Sequence, residues 1–422
     1  VPLNPLRRRL ANGLVLLAKE NRTTPSVSIL IGLRAGSWYD PAGREGTAAL
    51  LARVIDRGTE RRSASDIADE LDGRGASLSV SAGRHQMTVS ATCLAEDFET
   101  IFAIAADVIL RPLIDAREVE TRRAELLTSI LQDEDDPAVV SVETMMSRLY
   151  GRHPYGRRAR GTPDTVKRLE RDDLVRFHRH WFAPEGAIVV VVGDVDVELV
   201  LRAASREFQA WEAVRAPEPP IVDAPPASIR DLAIVPMMNK AQADIAYGFV
   251  GVRRSDPEYH AAWVMNNALG QYALGGRLGD SIRERQGLAY YVYSSLEAGL
   301  AAGPLLIRAG VGGADVDRTI ASIDRELMAV RADGFSGREI DDSKRYLIGS
   351  IPRQLETNAG IAAFLLSAEF HDLGPQHDER LPELVEAVSV EDANRAARRL
   401  LDPARAVIVV AGPYAAAGEA VA

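Results

Sequence analysis

The 422-residue chain has one cysteine, four lysines and seven histidines, and it has no apolar run of membrane-spanning length. The lone Cys93 excludes an intrachain disulfide and leaves a reducing cytoplasm and a periplasm equally open. The chain starts at Val1-Pro2 with no Met and no signal-like segment, which tilts the expectation toward a processed, exported protein of the periplasm. Its longest apolar stretches, such as Ala187 to Val192, are strand-length and fall short of the ~20 residues of a transmembrane helix. Lysine is confined to Lys19, Lys167, Lys240 and Lys344, so arginine carries nearly all the basic charge. A net charge of −10 disfavours a nucleic-acid binder, whose phosphate contacts need a concentrated basic face. Arg7 to Arg9 and Arg157 to Arg160 are therefore read as solvated surface.

With histidine this scarce, few metal-binding patterns are available. His178 and His180 stand two apart, about 200° around a helix axis, so they cannot share an ion and are expected at the surface. Glu369, His371 and His377 make at most a partial set, with Gly374-Pro375 between the histidines. The acidic run Asp133 to Asp136 lacks the glycine and spaced ligands of a calcium loop and is read as a solvated helix end.

What is present is a duplication. At 46% hydrophobic and 26% charged the chain has the composition of a soluble globular protein, long enough for two cores. The second half echoes the first at an offset of about 220 residues. Asp172-Asp173 through Pro184, followed by the apolar run Ala187 to Gly193, matches Glu391-Asp392 through Pro403, followed by Ala406 to Gly412. Each copy predicts a helix that stops before a proline and feeds a buried strand.

Asp115 to Glu118 and Ser336 to Glu339 both predict capping boxes. Leu126, Leu127 and Ile130 recur as Leu347, Ile348 and Ile351, one core-facing stripe in each copy. Ser26 to Gly32 and Ala243 to Gly248 predict strands at the front of each half. Between the halves, Ala216 to Pro220 and Pro225-Pro226 form a proline-rich, extended linker. The expected domains are 1–211 and 229–422, joined by residues 212–228.

The order of these features resembles the M16 (pitrilysin/insulinase-like) metallopeptidase family over essentially the whole chain. Arg9 to Leu14 and Val27 to Ser37 resemble the family's opening strands. Gly46 to Thr59 occupies the place of its inverted zinc motif, His-x-x-Glu-His. His153-Pro-Tyr-Gly156, Gly161-Thr162 and Val192 to Asp194 are also similar to the family. Gly275-Gly276-Arg277-Leu278 through Ile282 to Tyr290 resembles its Arg-Glu-Lys-x-Gly-Leu-x-Tyr signature. The resemblance implies an α+β chain of two homologous domains, each a mostly antiparallel sheet covered by helices, the LuxS/MPP-like metallohydrolase fold.

The motif that binds zinc in the family is degenerate here. A helical His-x-x-Glu-His puts two imidazoles one turn apart on one face, with the Glu as general base. This sequence has Ala49, Ala52 and Arg53 at those positions, and Ser129 where the resemblance implies a third, carboxylate ligand. Methyl groups and a guanidinium offer zinc no lone pair. No metal is expected in this chain, and the resemblance implies zinc in a partner chain with an intact motif.

Arg283 and Tyr290 remain, seven positions apart, with Gly287 predicted to end a helix between them and Tyr290 to enter a strand. The resemblance implies that the arginine holds a substrate backbone carbonyl and the tyrosine hydroxyl stabilises a tetrahedral oxyanion at the partner's zinc site. The bland reading makes Arg283 a surface ion-pair residue and Tyr290 an amphipathic strand residue. Gly275 and Gly276 are expected to make a tight turn for backbone reasons, with peptide contact as a further role implied by similar family loops. The expected function is the non-zinc subunit of a heterodimeric peptidase acting on peptides or unfolded proteins. The alternatives are an inactive structural scaffold and a peptide-binding homo-oligomer.

Overall fold

The computed structural model describes residues 2–213, 217–271 and 275–415. Val1, Ala216 of the proline-rich stretch and the end of the second expected domain lie outside them.

Along the described residues the strands are β1 (Leu6–Arg9), β2 (Val15–Glu20), β3 (Ser26–Leu33), β4 (Ser77–Ala82), β5 (Met87–Leu94), β6 (Ile188–Gly193), β7 (Asp231–Pro236), β8 (Ala243–Val250), β9 (Ala289–Leu296), β10 (Pro304–Val311) and β11 (Val407–Gly412). They form two sheets, ordered β1-β2-β6-β3-β5-β4 and β7-β11-β8-β10-β9. Apart from β1 the two orders correspond strand for strand. Each contains one parallel pair, β2 with β6 and β7 with β11, among antiparallel neighbours. The central strands β6 and β11 are buried throughout, as their valine-rich runs require.

The helices of the first half are α1 (Thr47–Val54), α2 (Ala64–Asp72), α3 (Phe98–Leu110), α4 (Ala116–Glu134), α5 (Pro137–Tyr150), α6 (Pro163–Lys167), α7 (Arg171–Trp181) and α8 (Val197–Phe208). Those of the second are α9 (Tyr259–Asn266), α10 (Val316–Asp333), α11 (Gly337–Gln354), α12 (Asn358–Phe370), α13 (His377–Glu386) and α14 (Val390–Leu400). Both predicted helix-to-strand units are present, α7 into β6 and α14 into β11. Among the described residues no helix is long and apolar enough to cross a membrane.

The chain forms two compact units, and each contains one segment from the other side of the proline-rich stretch. One unit comprises residues 1–130, 158–220 and 351–379, and the other 131–157, 221–350 and 380–422. The borrowed segments begin at Leu131 and Ile351, within one residue of the same point in the two repeats. In the first unit the borrowed helix α12 packs on β3 and β6, so closely that a Cβ on Gly32 would stand 2.8 Å from Leu366. The Asn358 amide at its start donates to the Ser26 carbonyl at 2.9 Å. In the second unit the borrowed helix α5 packs on β8 and β11, and a Cβ on Gly248 would stand 2.3 Å from the Met145 sulfur. Glycine at each contact lets a helix lie directly on the sheet.

The capping boxes differ. Ser336 and Glu339 exchange both bonds, at 3.3 and 2.8 Å. Asp115 accepts from the Arg117 and Glu118 amides at 2.8 and 3.3 Å, while the Glu118 carboxylate turns to Arg122 instead of closing the box. An arginine one turn along the helix competes for that carboxylate.

Candidate functional site

In the first unit, α1 carries Ala49, Ala52 and Arg53, the positions at which the resemblance placed a degenerate zinc motif. The buried Asp40 carboxylate accepts from the Gly46 and Ala48 amides, both at 2.8 Å, and so fixes the helix start. Leu50, Leu51 and Val54 enter the core, Ala52 is buried beside them, and Ala49 and Arg53 share the half-buried face one turn apart. Ser129 lies on α4, where its hydroxyl accepts from the Arg160 guanidinium at 3.1 Å. One turn earlier on α4, Arg122 holds Glu125 at 2.7 Å. That hydrogen bond keeps the Glu125 carboxyl below the usual range, with smaller contributions from Arg53 and Arg57.

The locus thus presents guanidinium groups and two methyl groups. Such a donor set does not fit a zinc ion, because the three helix positions offer no lone pair, Arg160 takes up the Ser129 hydroxyl and Arg122 the Glu125 carboxylate, and the guanidinium groups add like charge. Among the described residues no group of three or more His, Cys, Asp or Glu side chains could hold a metal ion.

The other histidines have separate environments. His180 is exposed, but His178 is interior: its Nε2 lies 2.8 Å from the Ile109 carbonyl and its ring packs on Phe182 at 4.4 Å. Burial pushes its pKa down. The surface reading therefore holds for His180 alone, because α7 turns its 178 position toward α3. His377 stacks on Phe364, and Glu369 is taken by Arg7 in a two-pronged ion pair at 2.8 and 2.9 Å.

In the second unit, Asn267–Gln271, which leaves helical geometry at Gly270 (φ 177°, ψ 8°), and the π-wound segment Gly279–Arg285 flank the glycine pair. Such winding widens a helix and recurs at functional sites. Gly276 has φ +82°, and a Cβ there would stand 3.0 Å from the Gly270 Cα, so the neck of the loop accepts only glycine. Arg277 then ties the helix start down by a two-pronged bond to Glu339, both arms at 2.9 Å. Gly275 and Gly276 border a cavity of about 1090 Å³ walled by Arg277, Asp280, Glu326 and Glu339. Arg283 and Tyr290 do not line it.

Arg283 sits in the last turn of the π-wound segment, its side chain 40% exposed and 3.7 Å from the neighbouring Glu284. Gly287, at φ +62°, ends the helix as predicted, and Leu288 and Ala289 bury themselves as the chain enters β9. This strand is the outer edge of its sheet. Its pairing with β10 slips at Tyr290: Tyr291 faces Gly310 and Ala289 faces Val311, which leaves Tyr290 as the extra residue of a bulge. Tyr290 is 76% exposed. Bulges at sheet edges re-aim side chains, and they recur beside active sites.

Sequence reasoning passed over Tyr291, Tyr293, Asp244 and Arg308, which form a polar cluster on three adjacent strands. Their signal was faint. A Tyr-Tyr-x-Tyr run in a strand is ordinary β composition, and the cross-strand partners lie far off in sequence.

Comparison with known proteins places this geometry. Residues 15–163 match the family model described as Insulinase (Peptidase family M16), and residues 168–347 match the one described as Peptidase M16 inactive domain. An uncharacterized zinc protease of Mycobacterium leprae is 30% identical over 97% of this chain and 92% of its own length. A non-peptidase homolog of Helicobacter pylori is 24% identical over 81% of this chain and 78% of its own. A solved peptidase M16 inactive domain from Pseudomonas fluorescens superposes with a TM-score of 0.91 at 25% identity, covering 98% of this chain and 99% of that one. With two repeated sheets and these matches along nearly the whole chain, the chain belongs to the M16 peptidase family.

Proposed function

We propose that this chain is the non-zinc-binding subunit of a two-chain M16-type peptidase that cleaves peptides or unfolded proteins. The other chain is a homologue with an intact His-x-x-Glu-His motif, and its zinc and glutamate supply the activated water. Arg283 donates to a backbone carbonyl of the bound substrate and holds it in register. The Tyr290 hydroxyl donates to the oxyanion that forms as water attacks the scissile carbonyl. A fixed donor aimed at developing charge lowers the barrier most where water is excluded, and removing one costs about 2.7–4 kcal/mol.

The observation that carries this reading is Tyr290, 76% exposed at the bulge of a free sheet edge. Packing gives no reason for an aromatic there, and its hydroxyl is free to meet a group on another molecule. Arg283 is likewise uncommitted apart from one long, exposed ion pair, which is worth little. The loss of every zinc-motif side chain supports a division of labour between two chains.

A second reading, an inactive scaffold or peptide-binding protein, is favoured by the match of residues 168–347 to a family model described as inactive. Native mass spectrometry with zinc quantification on the complex from its natural source separates the two. A second chain of similar size with one zinc per pair supports the shared site, and Arg283→Ala or Tyr290→Phe then abolishes turnover while assembly persists. A zinc-free homo-oligomer overturns it in favour of the scaffold.

A further inference from the structure

Tyr291, the residue after the bulge, lays its ring across Gly310 of β10, where a Cβ would stand 2.5 Å from a ring carbon. It thereby reaches past β10 and donates its hydroxyl to the Asp244 carboxylate on β8. Arg308 of β10 donates to the same carboxylate at 3.4 Å, to the Tyr293 hydroxyl at 3.2 Å and to the Ala138 carbonyl in the first turn of α5 at 3.0 Å. Burial pushes both the Asp244 carboxyl and the Tyr291 phenol above their ordinary ranges, so the phenol keeps its proton and remains the donor.

These bonds bridge three strands and fasten the outermost one to a helix. A buried polar group of this kind costs free energy unless its members satisfy one another, so its arrangement is specific. The need for it lies at the edge. An outermost strand has a ladder on one side only, and a bulge in it can migrate by a residue, which would turn Tyr290 to another direction. A cross-strand tie at the very next residue prevents that slip.

We infer that Asp244, Tyr291 and Arg308 are positioning residues for Tyr290, fixing the register of the β9 bulge and with it the direction in which Tyr290 leaves the sheet. The inference rests on the shared-site reading of Tyr290, and two measurements keep them apart. Tyr291→Phe retains the ring over Gly310 and removes only the hydroxyl, whereas Tyr293→Phe removes a hydroxyl that does not touch Asp244.

In hydrogen–deuterium exchange on the isolated full chain, Tyr291→Phe is expected to speed exchange over residues 288–292 roughly five- to tenfold more than Tyr293→Phe does. Exchange no faster than in Tyr293→Phe overturns the inference. In the assembled two-chain peptidase, Tyr291→Phe is expected to lower kcat roughly tenfold at unchanged KM. Asp244→Asn, which keeps an acceptor for the Tyr291 hydroxyl, retains more turnover than Asp244→Ala. Loss of turnover in Tyr290→Phe with none in Tyr291→Phe also overturns it. Faster exchange in Tyr291→Phe with no effect of Tyr290→Phe on turnover upholds the register clamp and defeats the shared-site reading.

Discussion

The two sheets end in corresponding edge strands that have taken different courses. In the first unit β4 pairs with β5 in unbroken register from Ser77 to Ala82, exposing Ser77, Ser79 and Ser81 and half-burying the residues between them. In the second, β9 carries three tyrosines, a bulge and a three-strand polar tie. One edge is plain alternating strand, and the other spends stability on a defined geometry for a single exposed side chain. On the proposed shared-site reading, the specialised chemistry of the chain belongs to its second unit, while the first has Ala49, Ala52 and Arg53 on α1.

Four experiments test that contrast. The largest effect is expected from Tyr290→Phe, which should lower kcat of the two-chain peptidase by roughly 10²–10³ with the complex intact. Steady-state kinetics on the purified complex checks it, and unchanged kcat would put the two edges on an equal footing.

Next comes Gly310→Ala. Its new methyl meets the Tyr291 ring, so chemical denaturation should show a loss of about 1–3 kcal/mol. A neutral result would mean that the tyrosine ring has room to move and that the second edge is no more tightly specified than the first.

The third concerns pH and two helices, α9 of the second unit and α1 of the first. In α9, burial lowers the His260 pKa to about 4, with help from the charges of Arg254 and Arg380, whereas α1 contains no histidine at all. The unfolded imidazole titrates near 6.5, so between about 6.5 and 4 the unfolded chain binds the extra proton. The contribution is complete above pH ~6.5 and is lost as the pH falls toward 4, about 1–2 kcal/mol by pH 5. His260→Gln should flatten this part of the stability profile measured by urea denaturation. An unaltered profile would mean that the imidazole is hydrated after all.

The smallest effect is expected from Ser79→Ala on the plain edge, within about 0.5 kcal/mol of native stability and without change in turnover. A clear loss of turnover there would return a functional role to the first unit's edge.

Much of the architecture was legible because it rests on local rules. Valine-rich runs became β6 and β11, helices stopped before Pro184 and Pro403, and Gly287 ended its helix with a positive φ. Leu126, Leu127 and Ile130 show the same burial pattern as Leu347, Ile348 and Ile351, as equivalent stripes should. What depends on distant partners was not legible. Nothing near Tyr290 in sequence announces that Val311 pairs with Ala289 and so expels it from the ladder. The closure of one capping box but not the other depended on Arg122. His178 was misjudged because two-residue spacing describes its relation to His180 but says nothing of α3, against which it packs. The Asp244 cluster was invisible for the same reason, since its members are joined only once three strands are aligned.

The borrowed helices also bear on the order in which the chain can finish folding during synthesis. Residues 351–379 complete the first unit, so its β3–β6 surface stays uncovered while the second half is being made. At roughly 5–20 residues per second that interval is on the order of ten to thirty seconds. During it a valine-rich sheet surface is open to chaperones, to other nascent chains and to the solvent. The first unit therefore waits on a short late segment, residues 351–379, to cover this surface, and truncation upstream of residue 351 should leave the early half aggregation-prone however well its own strands pair.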